Sequence, residues 1–357
     1  MLKFLFALRG HFSFFNIFQY LTFRAAYAAI TALLISFLFG PWVIARLRAI
    51  KTSWAAREDT PQTHKAKAGT PTMGGVLIIL SFVVSVLLWQ DLTNVYAWLL
   101  LFGAVGFGAI GFVDDLLKMS SRKRGISAGV KFGGQFVISA VIVIVLYIQR
   151  GENTTLLYIP FLKRAVLDLS WMYIPFAVVL MVGYSNAVNL TDGLDGLATG
   201  LVIMVGLALA VLAYVTGRPD FATYLQIPYV KGAGELAVFC LAVTGASVGF
   251  LWFNAHPADV WMGDTGALSL GGVMGVVALV LKKEILILIL GGVFVLETAS
   301  VAIQVVSFKL TGRRVFKMAP LHHHFELSGW PESKVVTRLW ILGGLFAILG
   351  ISTLKIQ

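Results

Sequence analysis

Long, uninterrupted apolar runs are the feature that most constrains how this chain folds. A helix needs about 20 apolar residues to cross the hydrocarbon core of a bilayer. Ten runs of roughly that length lie at about 24–45, 74–90, 96–113, 132–149, 172–189, 198–216, 236–253, 264–281, 285–308 and 335–354. They are continuous rather than alternating, which does not fit the strands of a membrane barrel. The sequence therefore predicts an all-α, polytopic membrane protein with about ten transmembrane helices.

The composition leaves little chain for anything outside those helices. Of the 357 residues, 58% are hydrophobic and only 13% are charged, whereas a soluble domain carries about 25% charged residues. These values exclude a disordered chain, a coiled coil and a soluble nucleic-acid-binding protein. We expect one integral membrane domain over residues 1–357, surrounded by membrane lipid and without a nucleic-acid partner.

The basic residues predict how the helices are oriented. The net charge is +11, and 17 of the 28 Lys and Arg residues lie in or beside the odd-numbered loops between the predicted spans. Basic loops of a membrane protein stay on the cytoplasmic side, so we expect both termini to be periplasmic. The loops predicted to be cytoplasmic and catalytic are about 46–73, 114–131, 190–198, 254–265 and 309–334.

Two adjacent aspartates, Asp114 and Asp115, end the third predicted span. Adjacent carboxylates do not both stay ionised cheaply without a cation nearby, and Mg²⁺ binds through one or two carboxylates plus phosphate oxygens. Lys118 follows Asp114 by one helical turn, so these three groups can meet a phosphate together. The alternative interpretation is a solvated helix end.

Two further polar segments follow apolar runs on the same predicted face. Asn186, Asn189, Asp192 and Asp195 form one of them, and they are candidate substrate ligands unless the segment is a polar loop with Asx turns. Asn254 and Asp264 belong to the other. The sequence leaves open whether Asp264 is a helix cap or a metal ligand.

A Gly-rich stretch and a histidine triplet complete the set of candidates. Lys67 precedes small residues whose backbone N–H groups, at a helix start, suit an anion; the alternative is a helix cap. His322, His323 and His324 lie in the last predicted cytoplasmic loop. Adjacent side chains on a helix point in different directions, so we expect these imidazoles to act on phosphate or protons rather than to chelate one metal together.

Taken together, these residues indicate Mg²⁺-assisted phosphoryl transfer beside a lipid phase. A secondary transporter would place its charged residues near the bilayer midplane rather than at the helix ends. A non-enzymatic lipid-binding scaffold has no use for clustered aspartates.

Five motifs occur in one order: KAGTPTMGG at 67–75, DDLLK at 114–118, NAVNLTDGLDGLA at 186–198, GDTGAL at 263–268 and PLHHHFE at 320–326. In these motifs the chain resembles the phospho-N-acetylmuramoyl-pentapeptide transferase family, within the polyprenyl-phosphate N-acetylhexosamine-1-phosphate transferases. The aspartate motifs are shared by the wider superfamily. The histidine block and the GTPTMGG stretch fit the muramoyl branch better. A sister transferase of this superfamily that uses UDP-GlcNAc as the donor is a further alternative.

The resemblance implies transfer of phospho-MurNAc-pentapeptide from UDP-MurNAc-pentapeptide to undecaprenyl phosphate. The products would be lipid I and UMP, in peptidoglycan synthesis. It also implies a Mg²⁺ cofactor, a bacterial inner membrane, an active site that faces the cytoplasm, and a homodimer.

The resemblance also implies roles for individual residues. Catalytic roles fall on Asp114, Asp115, Asp264, His322, His323 and His324, and the metal ligands would be Asp264 and Asp115. Substrate-binding roles fall on Lys67, Lys118, Lys131, Asn186, Asn189, Asp192, Asp195 and Asn254. Which histidine acts, and whether transfer takes one step or passes through an aspartyl-phosphate, stays open.

Overall fold

The computed structural model describes residues 1–50, 69–119, 125–150, 154–162 and 165–355. Lys67 lies outside these residues, so its predicted role stays a prediction. Thirteen α-helices occur in the described residues: α1 (Leu21–Ala49), α2 (Gly75–Trp89), α3 (Val95–Met119), α4 (Ala128–Arg150), α5 (Tyr173–Thr191), α6 (Leu197–Thr216), α7 (Pro219–Leu225), α8 (Leu236–Asn254), α9 (Gly263–Val280), α10 (Leu286–Leu290), α11 (Gly292–Thr311), α12 (Leu321–Glu326) and α13 (Glu332–Ser352).

The strands within those residues form a single hairpin between α4 and α5. β1 (Leu156–Tyr158) pairs antiparallel with β2 (Ala165–Asp168), and an irregularity in register falls between Leu157 and Tyr158. Short 3₁₀ helices occupy Leu2–Gly10 and Ser13–Gln19 before α1. The predicted all-α class is confirmed.

Nine helices of the described chain are long and apolar enough to cross a membrane. The tenth predicted run, 74–90, forms α2, which is apolar but has only 15 residues. The run predicted at 285–308 is divided at Gly291 into α10 and α11. The prediction of a polytopic membrane protein with about ten helices is confirmed, while the periplasmic position of the termini stays a prediction.

Helix α9 lies at the centre of the bundle, where it packs against α3, α5 and α2. Small residues let the backbones approach closely, as is common between helices in membranes. A Cβ atom at Gly111 of α3 would collide with the backbone of Asp264 and Thr265 in α9. The two helices therefore touch backbone to backbone where the predicted catalytic aspartates lie.

The segment before α2 is fixed to the segment before α9 by main-chain hydrogen bonds. The N–H of Trp261 donates to the carbonyl of Pro71 at 2.8 Å. In the other direction, the N–H of Gly74 donates to the carbonyl of Trp261, and that of Gly75 to the carbonyl of Met262, each at 2.8 Å. Two N–H groups that the sequence offers to an anion are thus used within the protein. These two donors are therefore not available to an anion at the start of α2, and the predicted role of Lys67 there stays a prediction.

The other end of the bundle contains buried ion pairs. Arg24 of α1 makes two hydrogen bonds to Glu235, at 2.6 and 2.7 Å. In the loop after α9, Lys282 and the hydroxyl of Tyr173 each contact Glu284 at 2.7 Å. Arg24 and Lys282 are thus each compensated by a carboxylate, as an apolar surrounding requires of a buried charge.

Replacing Gly111 by Ala tests the contact between α3 and α9. We expect a destabilisation of about 1–3 kcal/mol, because the added methyl group has no space and the helices must separate. The measurement is thermal unfolding in detergent. Gly133 of α4 is the matched control, since a Cβ atom there meets nothing within 4 Å and Gly→Ala favours a helix. Equal melting temperatures for the two variants would contradict the packing described.

Candidate active site

Asp114 lies near the end of α3 and is bound from three sides. Its Oδ2 atom is 2.9 Å from Nζ of Lys118 and 3.1 Å from Nζ of Lys131. Its Oδ1 atom accepts the backbone N–H of Ile126 at 2.7 Å. A Cβ atom at Gly125 would collide with this oxygen. The buried carboxylate is therefore fixed in place by both flanks of the loop between α3 and α4.

Asp264, in the first turn of α9, shares both lysines with Asp114. Its Oδ2 atom is 2.9 Å from Nζ of Lys118 and also contacts Nζ of Lys131. We name Asp114, Asp264, Lys118 and Lys131 the aspartate–lysine cluster. It joins α3, α4 and α9 through charge-assisted hydrogen bonds, which are stronger than neutral ones. Its two positive and two negative charges balance.

Asp115 points the other way and caps α9. Its Oδ1 atom accepts the backbone N–H of Asp264 at 3.2 Å, and its Oδ2 atom accepts the N–H and the hydroxyl of Thr265 at 3.0 and 2.7 Å. Met262, which precedes α9, makes no side-chain cap. The alternative in which Asp264 caps its own helix is therefore wrong, because an aspartate from another helix does so. Sequence reasoning missed this role, since a cap is normally sought next to the helix start.

Asp192 is a fourth carboxyl group at this site and lies directly after α5. The backbone N–H of Gly263 donates to it. Burial, followed by the negative charges of Asp264 and Asp115, raises the pKa of Asp192 to about 8. This carboxyl group thus holds a proton at neutral pH unless a cation replaces it.

Asp195 is buried three residues further on and organises the loop before α9. Its Oδ1 atom accepts the indole N–H of Trp261 at 3.0 Å. Its Oδ2 atom accepts the N–H of Ala258 at 3.1 Å and lies 3.2 Å from Nδ1 of His256. The backbone N–H of Asp195 donates to Glu332 of α13 at 2.9 Å.

Asp195, His256 and Glu332 lie close enough to hold a metal ion, with potential ligand atoms within 4.8 Å of one another. Asp195, however, already receives three hydrogen bonds from the protein. Sequence reasoning proposed neither His256 nor Glu332 as a site residue. Glu332 carried no local signal, because it is 137 positions from Asp195 along the chain.

The predicted amide ligands have different surroundings. Asn186 donates to the side chain of Gln135 at 2.7 Å and to the carbonyl of Val182 at 2.8 Å. Asn189 is half-buried one turn further along α5, towards Asp192. Asn254 is buried, accepts the hydroxyl of Thr199 at 2.8 Å and donates to the carbonyl of Val260 at 3.0 Å. The amide of Asn254 thus ties α6 to the loop before α9.

The three histidines point to different partners, as predicted. Nδ1 of His322 lies 3.2 Å from Oε2 of Glu297, and Nδ1 of His323 lies 2.9 Å from Oε2 of Glu326. Nδ1 of His324 accepts the backbone N–H of Lys317 at 3.1 Å. They do not converge on one metal.

The charged groups of the cluster lie at helix ends rather than mid-helix, which is the arrangement predicted for an enzyme and not for a transporter. A family model described as glycosyl transferase family 4 matches residues 97–282, which include the whole cluster. The fold and the site thus define a polytopic membrane glycosyl transferase. A signature of phospho-N-acetylmuramoyl-pentapeptide-transferases also matches residues 67–79.

Curated relatives extend this similarity over the full length. The chain is 53% identical to the phospho-N-acetylmuramoyl-pentapeptide-transferase of Syntrophus aciditrophicus over 99% of both chains. It is 52% identical to that of Desulfosudis oleivorans over 99% of both chains, and 51% identical to that of Desulforapulum autotrophicum over 100% of both. The chain belongs to the phospho-N-acetylmuramoyl-pentapeptide-transferase family. The predicted family and the predicted transferase activity are confirmed.

The raised pKa of Asp192 predicts how its replacement by Asn changes stability with pH. Between the ordinary value of 3.8 and about 8, the folded protein holds a proton that the unfolded chain has lost, so stability falls as pH rises. An asparagine side chain at this position stays neutral and avoids this loss. We therefore expect the melting temperature of D192N, relative to wild type, to increase from pH 5 to pH 8 and then level off, in the presence of EDTA. A constant difference from pH 5 to pH 9 would contradict this assignment.

Proposed function

We propose that this protein transfers phospho-MurNAc-pentapeptide from UDP-MurNAc-pentapeptide to undecaprenyl phosphate. The reaction forms lipid I and releases UMP at the cytoplasmic face of a bacterial inner membrane. The aspartate–lysine cluster is the observation that carries this proposal, since two lysines there each bridge carboxylates from two helices. Membership of the family supports the choice of donor and acceptor.

Lys118 and Lys131 bind phosphate oxygens in this proposal. Their side chains are 40% and 14% exposed, and each already contacts carboxylate oxygens of two aspartates. A diphosphate presents the same kind of negatively charged oxygen. The lysines can therefore exchange a carboxylate for a phosphate without losing a charged partner.

The carboxyl groups around the cluster fit Mg²⁺. This ion prefers oxygen ligands and is usually held by one or two carboxylates together with substrate phosphates. Asp264 and Asp192 suit this role, since the proton that Asp192 holds is one that a cation would displace. Asp115 fits less well, because its two oxygens accept hydrogen bonds from α9. When bound, Mg²⁺ offsets the negative charge that develops on the diphosphate.

Asp114 orients the lipid phosphate or removes its proton. The N–H of Ile126 and the two lysines hold its carboxylate in one position.

In the one-step path, a phosphate oxygen of the lipid attacks the β-phosphorus of the donor, and the bond from that phosphorus to UMP breaks. In the alternative two-step path, an aspartate carboxylate attacks the β-phosphorus and UMP leaves. The lipid phosphate oxygen then attacks the same phosphorus, and the bond from that phosphorus to the aspartate breaks. Trapping a phosphorylated aspartate during turnover would support the two-step path.

The nucleotide end of the donor lies, in this proposal, along the turn of Asp192 and Asp195. Asp195 fixes this turn through Trp261 and Glu332. Asn189 and Lys67 are further proposed ligands of the nucleotide or its phosphates. Asn254, which the sequence also suggested, is buried and its amide is hydrogen-bonded to Thr199 and Val260, so in this proposal it supports the loop before α9 instead. The homodimer is also proposed, from the family alone.

Replacing Asp264 by Ala tests the proposed chemistry. We expect kcat to fall at least about 100-fold, as is typical when a group that stabilises transition-state charge is removed. The assay measures UMP released from UDP-MurNAc-pentapeptide with a polyprenyl phosphate and Mg²⁺ in detergent.

Asp259→Ala is the matched control, because this aspartate lies in the loop just before α9 but is 63% exposed and forms an ion pair with Arg48 at the surface. We expect its kcat to stay within about twofold of wild type, as is usual for surface changes. Full activity of Asp264→Ala would refute the role of Asp264. Release of UMP from UDP-GlcNAc, but not from UDP-MurNAc-pentapeptide, would overturn the proposed donor.

A further inference from the structure

Glu297 is a buried carboxylate within a helix long enough to span a membrane, and the mechanism above does not use it. Helix α11 places this side chain where it is wholly buried. Its Oε2 atom lies 3.2 Å from Nδ1 of His322 and accepts the backbone N–H of His322 at 3.3 Å. A carboxylate in such a helix is costly and usually functional. Its two hydrogen bonds to one residue point to a role in holding that residue.

The other edge of the His322 ring lies against the turn that carries Asp192. The ring is wholly buried, and its Nε2 atom has no hydrogen-bond partner in the described part of the chain. A Cβ atom on Gly193 would collide with Nε2. The imidazole therefore fills the space between Glu297 and the backbone directly after Asp192.

The two neighbouring histidines contact other partners. His323 pairs with Glu326 of its own short helix, and His324 accepts the N–H of Lys317 from the same loop. The His322 ring connects a carboxylate of α11 to the turn after α5. It is therefore placed to influence Asp192.

A carboxylate that accepts from Nδ1 fixes both the tautomer and the orientation of an imidazole. The proton is then on Nδ1, and Nε2 carries a lone pair. We propose that Glu297 is a positioning residue, which holds His322 against Gly193 and through that ring sets the position of Asp192 for the donor substrate. This inference rests on the proposed function, in which Asp192 serves donor and cation binding.

A double-mutant cycle tests this inference. The variants are Glu297→Gln, His322→Gln and the double variant, each measured for kcat and KM in the UMP-release assay and for melting temperature. Gln at 297 has no charge and can either accept from Nδ1 or donate to it, so it no longer fixes the tautomer of His322. We expect each single variant to lower kcat about 100-fold, a typical effect for a group that orients a functional ligand.

The double variant decides between positioning and a merely structural role. If Glu297 acts through His322, the double variant is no slower than His322→Gln alone, because residues that act as a unit are not additive. Losses that multiply to about 10⁴-fold would overturn the inference. If Glu297→Gln does not fold, Glu297→Asp replaces it in the cycle, since Asp keeps the charge but withdraws it from Nδ1.

Glu284→Gln is the matched control. Glu284 is also wholly buried and hydrogen-bonded, but it follows the end of α9 opposite to Asp264. We expect it to lower the melting temperature without the loss in kcat. Equal losses of kcat in Glu284→Gln and Glu297→Gln would also overturn the inference. Wild-type protein that releases no UMP would refute the proposed function, whereas active wild type with multiplying losses would refute only the role of Glu297.

Discussion

The backbone contact between α3 and α9 is the constraint on which the rest of the site depends. Only a glycine at position 111 allows the two helices to approach this closely. The approach lets Asp115 reach the first N–H groups of α9, and it brings Asp264 within reach of Lys118. The packing of α3 against α9 therefore also places the charged groups of the site.

The two adjacent aspartates contact different partners, because a helix directs neighbouring side chains about 100° apart. Asp114 faces the lysines, and Asp115 faces the start of α9. The cluster is close to neutral before any ligand binds, and Asp192 adds a carboxyl group that is itself protonated near pH 7. Binding a divalent cation together with a diphosphate would keep the local charge nearly balanced. Neither ligand would then be repelled by a large net charge of its own sign.

Local patterns predicted the parts of the structure that local rules govern. The apolar runs gave the number and position of the spans, because the thickness of the bilayer sets the length of each run. The DDLLK spacing predicted that Lys118 reaches Asp114, and the distance is 2.9 Å. The contact of Lys131 with Asp264, the cap from Asp115 and the link from Asp195 to Glu332 depend on how distant helices pack. No spacing along the chain encodes these contacts.

The same distinction explains what was missed around the histidines and amides. Their residue types suggested that they bind substrate, but burial and internal hydrogen bonds decide which of their atoms a substrate can reach. Asn254 is used to join α6 to the loop before α9. In the sequence, Glu297 is a carboxylate within the apolar run at 285–308. Its partner could be identified only once α11 and α12 were placed side by side.

The link between Asp195 and Glu332 has a consequence for how the protein is made. Glu332 begins α13 and accepts the backbone N–H of Asp195 in the turn after α5. During synthesis, the ribosome produces Asp114, Asp192 and Asp264 well before α13. A nascent chain that has inserted α1 to α9 therefore still lacks one support of the turn that carries Asp192 and Asp195. This turn gains that support only after the ribosome has produced α13.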